Sequence, residues 1–102
     1  MKNKKQFLRK YRLQQKKIER LREMIILNPR NNSRYLKQIA VCEKNCEIIE
    51  AKINAIDNEL FREILFLKYV CGKTLKEIAV IIEYSLRHTE RMHMEAVREI
   101  EL

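Results

Sequence analysis

A single proline, Pro29, and a single glycine, Gly72, are all that punctuate 102 residues. Sheets need frequent turns, and turns draw on those two residue types, so their scarcity points to a few long helices. The cleanest pattern lies between the two. Tyr35, Ile39, Cys42, Cys46, Ile49, Ile53, Ile56 and Leu60 alternate spacings of four and three. That is a heptad seam, which a helix uses to pack along another helix. Upstream, Phe7, Tyr11, Ile18, Leu21 and Ile25, with Leu8 and Met24 beside them, form one apolar face of a helix from about Lys4 to Leu27; Gln14 occupies the missing position. The segment 28–33 is the clear loop. Pro29 pushes Asn28 out of helical geometry, and Ser33 is placed to cap the next helix. Two helices of similar length joined by a short loop are most simply an antiparallel hairpin; a seam between two chains is the alternative.

Beyond the seam, Asp57 or Asn58 marks a cap or kink before a third helix, Glu59 to Val70, with an apolar face of Leu60, Ile64, Leu65, Leu67 and Val70. Cys71-Gly72 stops it, Gly72 being suited to the left-handed position after a helix. Thr74-Leu75-Lys76-Glu77 reads as a capping box that opens a short helix to about Ile82. Ser85 caps a last helix from Leu86 to about Glu101. The expected fold is all-α: a long N-terminal helical hairpin, 1–56, followed by a three-helix bundle containing a helix-turn-helix, 57–102.

Charge is distributed unevenly. Residues 1–37 carry 13 Lys/Arg against only Glu19 and Glu23, whereas residues 38–102 carry 9 Lys/Arg against 12 Asp/Glu. The arm therefore supplies all of the net +8, which suggests a polyanionic partner, either nucleic acid or an acidic membrane surface. A solvated helix face is the plainer reading, and an acidic protein is a further one. The longest clean apolar run, Ile78-Ala79-Val80-Ile81-Ile82, is far short of the roughly 18 residues that a span needs, so no membrane partner is expected. The basic start does not lead into a signal peptide. Three cysteines without framework spacing suit a reducing cytoplasm.

In a helix-turn-helix the second helix enters the major groove and its first residues touch base edges. Here that helix offers Leu86, Arg87, Glu90, Arg91 and Met94 on one side, and Thr89, Met92, His93, Ala96, Val97 and Ile100 on the other. Arg87 and Arg91 lie one turn apart on a shared face. Arg donates two hydrogen bonds to guanine O6 and N7, and Glu accepts from a cytosine amino group. Arg87 and Arg91 are the first candidates for base contact, with Glu90 and Leu86 second. Lys73, Lys76, Ser85 and His88 are candidates for phosphate contact, joined by Lys10, Lys16, Lys17 and Arg20 of the arm.

The run Phe66-Leu67-Lys68-Tyr69-Val70-Cys71-Gly72-Lys73-Thr74-Leu75-Lys76-Glu77-Ile78-Ala79 resembles the opening of region four of bacterial sigma factors. Tyr84-Ser85, then Arg87-His88 and Ala96-Val97, continue the likeness, which covers about 58–101. The layout, together with Tyr84-Ser85-Leu86-Arg87-His88, is similar to small bacteriophage regulators with a sigma-like helix-turn-helix, the ArpU- or RinA-type late-gene activators. The resemblance implies sequence-specific binding to double-stranded DNA and regulation of transcription. Two features depart from it. Thr89 stands where the family has a buried Val, and residues 72–102 hold five Lys/Arg against six acids. That balance keeps open a sigma-like module that binds RNA polymerase or another host regulator. A small terminase-like DNA-packaging subunit, oligomeric through its hairpin, is the other alternative.

Cys42 and Cys46, four apart on a helix, could present two thiolates to a metal, but they sit on the seam, where Cys fills space as a small apolar residue. Cys71 reads as structural. His88 and His93, five apart, share no helix face and make no zinc pair. No Ser-His-Asp set, Gly-rich phosphate loop or carboxylate pair points to an enzyme, and no cofactor is implied.

Overall fold

The structure is a computed structural model and describes residues 3–102. It is all-helical: α1 (Lys4–Leu27), α2 (Asn32–Asn54), α3 (Glu59–Leu65), α4 (Leu75–Ile82) and α5 (Leu86–Arg98), with a 3-10 turn at Pro29–Asn31 and a π-helical turn at Phe66–Val70. No strand occurs among the described residues.

The hairpin is antiparallel and internal to the chain. Ile18 and Leu21 pack with Ile39 and Cys42 near the loop. Leu8 and Tyr11 pack with Cys46, Ile49 and Ile53 at the other end. The seam is therefore filled by α1 of the same chain. Gln14, the gap in the apolar face of α1, accepts a hydrogen bond from Asn45 across the hairpin (3.3 Å). Tyr11 donates to the Glu50 carboxylate. Burial and then that carboxylate push the phenol up to about 12. Met24, expected beside the stripe, is exposed.

The cluster holding the hairpin's base also contains Leu65, Tyr69, Ala96, Val97 and Ile100. Residues 57–102 thus dock on the first half of α1 and the last half of α2, leaving the hairpin's loop end to project along a long axis of 51 Å. A second cluster, Ile64, Ile78 and Met92, ties α3, α4 and α5 together.

Four expectations need correction. Ser33 is not a cap: the Pro29 turn leads directly into α2 at Asn32. The seam is not one helix, since α2 ends at Asn54, and Ile56 is buried from an irregular link before Asn58 caps α3 through its side chain. The last helix stops at Arg98 rather than near Glu101, and Ile100 is folded back into the core. The third helix does not run as a uniform α-helix to Val70. By 3.6 periodicity, residue 68 should follow Phe61, Ile64 and Leu65 onto the buried face, but it is Lys68. The π turn adds a residue at this point and brings Tyr69 inward instead (4% exposed). Cys71 N–H then donates to Phe66 O and Lys73 N–H to Leu67 O.

Gly72 makes that closing possible. Its φ is +76°, and a Cβ there would meet Arg12 Cζ at 2.9 Å. The arginine can swing away, so the cost lies mainly in the left-handed backbone, about 1–2 kcal/mol for a residue with a Cβ. Gly72→Ala is expected to lower stability by about that amount, measured by urea denaturation with an unchanged m-value.

Candidate nucleic-acid interface

α4 and α5 are set by their first turns. Thr74 Oγ1 accepts from Glu77 N–H (3.1 Å), and Glu77 Oε1 accepts from Thr74 N–H (2.8 Å), which is the expected capping box. The Thr74 backbone bond holds the Glu77 carboxyl below the usual range. Glu83 ends α4 in the left-handed conformation, φ 63°. This position usually favours Gly or Asn, and nothing in the sequence signals it. Three residues, 83–85, separate Ile82 from the start of α5. Ser85 Oγ accepts from His88 N–H (3.1 Å), and Ser85 O accepts from both the backbone and the hydroxyl of Thr89.

That second bond explains the polar residue at position 89. Thr89 has no exposed surface, and its hydroxyl is satisfied at 2.8 Å by the preceding turn, so it sits in the core without an orphan donor. The faces of α5 divide as periodicity expects. Thr89, Met92, His93, Ala96 and Val97, with Ile100 just beyond, are buried; Leu86, Arg87, Glu90, Arg91 and Met94 are exposed. Ala96 has no exposed surface, which lets α5 approach α1 and α3 closely.

His93 is the member of the buried face with chemistry. Its Nε2 lies 2.8 Å from Tyr69 Oη, with the two rings stacked at 5.8 Å between centroids. Burial, then the cations Lys68, Lys5 and Arg9, push the imidazole down to about 4. His93 is therefore neutral and hydrogen-bonded to the phenol. The partner 24 residues away was beyond the reach of sequence periodicity.

Every candidate contact residue is exposed: Leu86, Arg87, Glu90 and Arg91 on α5; Lys73, Lys76, Ser85 and His88 around the turns; Lys10, Lys16, Lys17 and Arg20 on α1. They do not form one cluster. The solvent face of α5 brings Arg87 and Arg91 together. His88 stacks on Tyr84 with centroids 5.1 Å apart, which holds its ring at the start of α5. Ser85 Oγ serves the cap as an acceptor, leaving its O–H able to donate outward. On α1, Lys16 and Arg20 share a face, while Lys10 and Lys17 lie around the helix from them, toward the α2 flank. The only ion pair among the described residues is Arg22–Glu43, 3.6 Å and exposed on both sides. All these candidate cations are thus without acidic partners.

Cys42 and Cys46 are buried on the seam. Cys46 Sγ receives a hydrogen bond from Gln15 (3.4 Å), and burial pushes its thiol up. Cys71, read as structural, is exposed instead. Among the described residues no three His, Cys, Asp or Glu are grouped to hold a metal, and no helix is long and apolar enough to cross a membrane. Comparison with protein-family models, characterised proteins and solved structures returns no match.

Proposed function

We propose that the protein is a sequence-specific DNA-binding regulator of transcription acting on bacteriophage genes in a bacterial host. The observation that carries this reading is the split character of α5. One face is locked into the core by Thr89, Met92, His93 and Ala96, while Arg87 and Arg91 stand one turn apart on the opposite face, exposed and without an ion-pair partner. A rigid helix with two free guanidinium groups near its N-terminal end, preceded by a short helix and a three-residue turn, has the form that reads base edges in the major groove. The resemblance of 58–101 to sigma region four supports the same reading.

Selection of bound fragments from a random duplex pool tests it. A motif should be enriched, and Arg87→Ala should then reduce preference for that motif over random duplex by about 5- to 150-fold, which corresponds to about 1–3 kcal/mol. No enrichment, or unchanged preference in Arg87→Ala, would turn the assignment toward the second reading. That reading is docking on RNA polymerase or another protein. The exposed apolar group of Val80, Ile81 and Tyr84 beside the turn and the slight acidic excess of residues 72–102 favour it. Packaging as a terminase-like subunit would require oligomers, and the seam is already filled within the chain, so copies would have to join through another face.

A further inference from the structure

We infer that one face of α1, carrying Lys5, Arg9, Arg12, Lys16 and Arg20, is a track for the phosphate backbone of duplex DNA. The inference rests on the DNA-binding reading and extends it to a second surface, apart from α5's solvent face.

The five cations are spaced four, three, four and four residues apart. At about 100° per residue they fall within about 80° of the helix circumference, over a length of about 22 Å. Lys10 and Lys17 lie roughly 100° farther round. The track is not confined to the hairpin. Arg12 Nη1 reaches Val70 O at 3.4 Å and its guanidinium covers Gly72, so the cationic face runs up against the π turn. There Lys68 sits 5.7 Å over the Tyr69 ring. Lys5, Arg9 and Lys68 all act on the same buried imidazole, and Arg9 also acts on Tyr69, so the docking of residues 57–102 gathers three cations from two segments around one place.

Such crowding opposes folding, because like charges repel and the described residues offer these groups no ion pair. The acids on α1, Glu19 and Glu23, stand at the loop end of the track. A polyanion relieves the repulsion. Each strand of a duplex carries one charge per about 3.4 Å of axis, so a 22 Å run along one backbone faces about six phosphates. Duplex DNA is the occupant we assign rather than an anionic bilayer. Between Lys5 and Arg20 the track face is bordered by one exposed apolar side chain, Leu13, whereas interfacial helices bind through a whole apolar face.

The test compares two double variants of equal net charge: Arg9→Gln/Lys16→Gln on the track and Lys37→Gln/Lys44→Gln at two exposed lysines of α2, off it. Both replace exposed side chains with a residue of similar helix propensity, and unchanged melting of each confirms folding. Affinity for a random-sequence duplex is measured across salt concentrations, so that base reading plays no part. Each lost phosphate contact flattens the log–log salt slope by about 0.9. The track variant should lose close to two such steps, and the off-track variant much less than one. Equal slopes for the two variants overturn the track. If motif selection survives in that case, the α5 reading stands and only the track falls. Absence of any duplex binding removes both. Binding to vesicles of anionic lipid with none to duplex assigns the face to a membrane and overturns the inference.

Discussion

Ile49→Asp is expected to leave the chain unfolded at room temperature, with loss of the helical circular dichroism signal. Ile49 is 2% exposed at the level where α1, α2 and the C-terminal helices share one cluster. Removing the side chain alone, as in Ile49→Ala, should cost about 2–5 kcal/mol, from lost transfer energy and the cavity left behind. A carboxylate adds the cost of an unpaired buried charge, several kcal/mol more. The polar groups on the seam cannot offset it: Tyr11 is already committed to Glu50, and Gln15 to Cys46. A chain of this size has about 5–15 kcal/mol to lose, so the sum reaches the whole of it. The same burial distinguishes a hairpin from a seam between chains. Because α1 fills the seam, the wild-type melting temperature should not depend on protein concentration. A folded Ile49→Asp protein of wild-type mass, or melting that rises with concentration, would contradict the hairpin.

What could be read in advance divides along physical lines. Local rules act within a turn or two, and where they applied the boundaries followed. α1 runs from Lys4 to Leu27, Thr74 and Glu77 form the box, and Ser85 and Gly72 take their caps. Periodicity also sorted the faces of α5, since burial repeats every 3.6 residues. The misses are tertiary. Nothing near Lys68 says that the helix will widen; the π turn exists because residues on α5 and α1 favour Tyr69 in the core over a lysine. Glu99-Ile100-Glu101 contains no helix breaker, and the helix ends at Arg98 because Ile100 has an apolar site to fill. The candidate contacts show the same split. Exposure of Arg87 and Arg91 followed from spacing. The grouping of Lys5, Arg9, Arg12, Lys16 and Arg20 was present in the sequence as a four-three-four-four pattern, but its meaning depends on which flank of α1 receives the C-terminal helices. Leu8, with no exposed surface and off the centre of the stripe, was the residue that carried that signal.

Acidification should destabilise the protein between about pH 6.5 and pH 4, with His93 as the main histidine contribution. An imidazole in the unfolded chain titrates near its ordinary value of 6.5, while in the fold burial first, and then Lys68, Lys5 and Arg9, push it down to about 4. Above pH 6.5 both states are neutral and the Tyr69–His93 pair contributes in full. Below that, the unfolded chain binds a proton that the folded chain does not, so stability declines as pH falls. The decline from this group ends near pH 4, where the folded imidazole protonates as well. At about 1.4 kcal/mol for each pH unit of the interval, the loss is roughly 3 kcal/mol. Charging His93 leaves the 2.8 Å contact with Tyr69 Oη possible only with Nε2–H as donor, so the cost of protonation is that of burying a cation among cations. Urea denaturation at steps between pH 7 and pH 4 gives the profile. His93→Gln should start less stable at pH 7 yet lose much less over that interval, since an amide accepts from the phenol without titrating. Lys68→Gln should shift the onset of folded-state protonation upward and shrink the loss, because it removes the cation that ranks next to burial among the causes. A wild-type profile that stays flat from pH 6.5 to pH 4 would mean that His93 charges freely in the fold. The buried contact of Tyr69 with an uncharged His93 behind the solvent face of α5 would then be wrong.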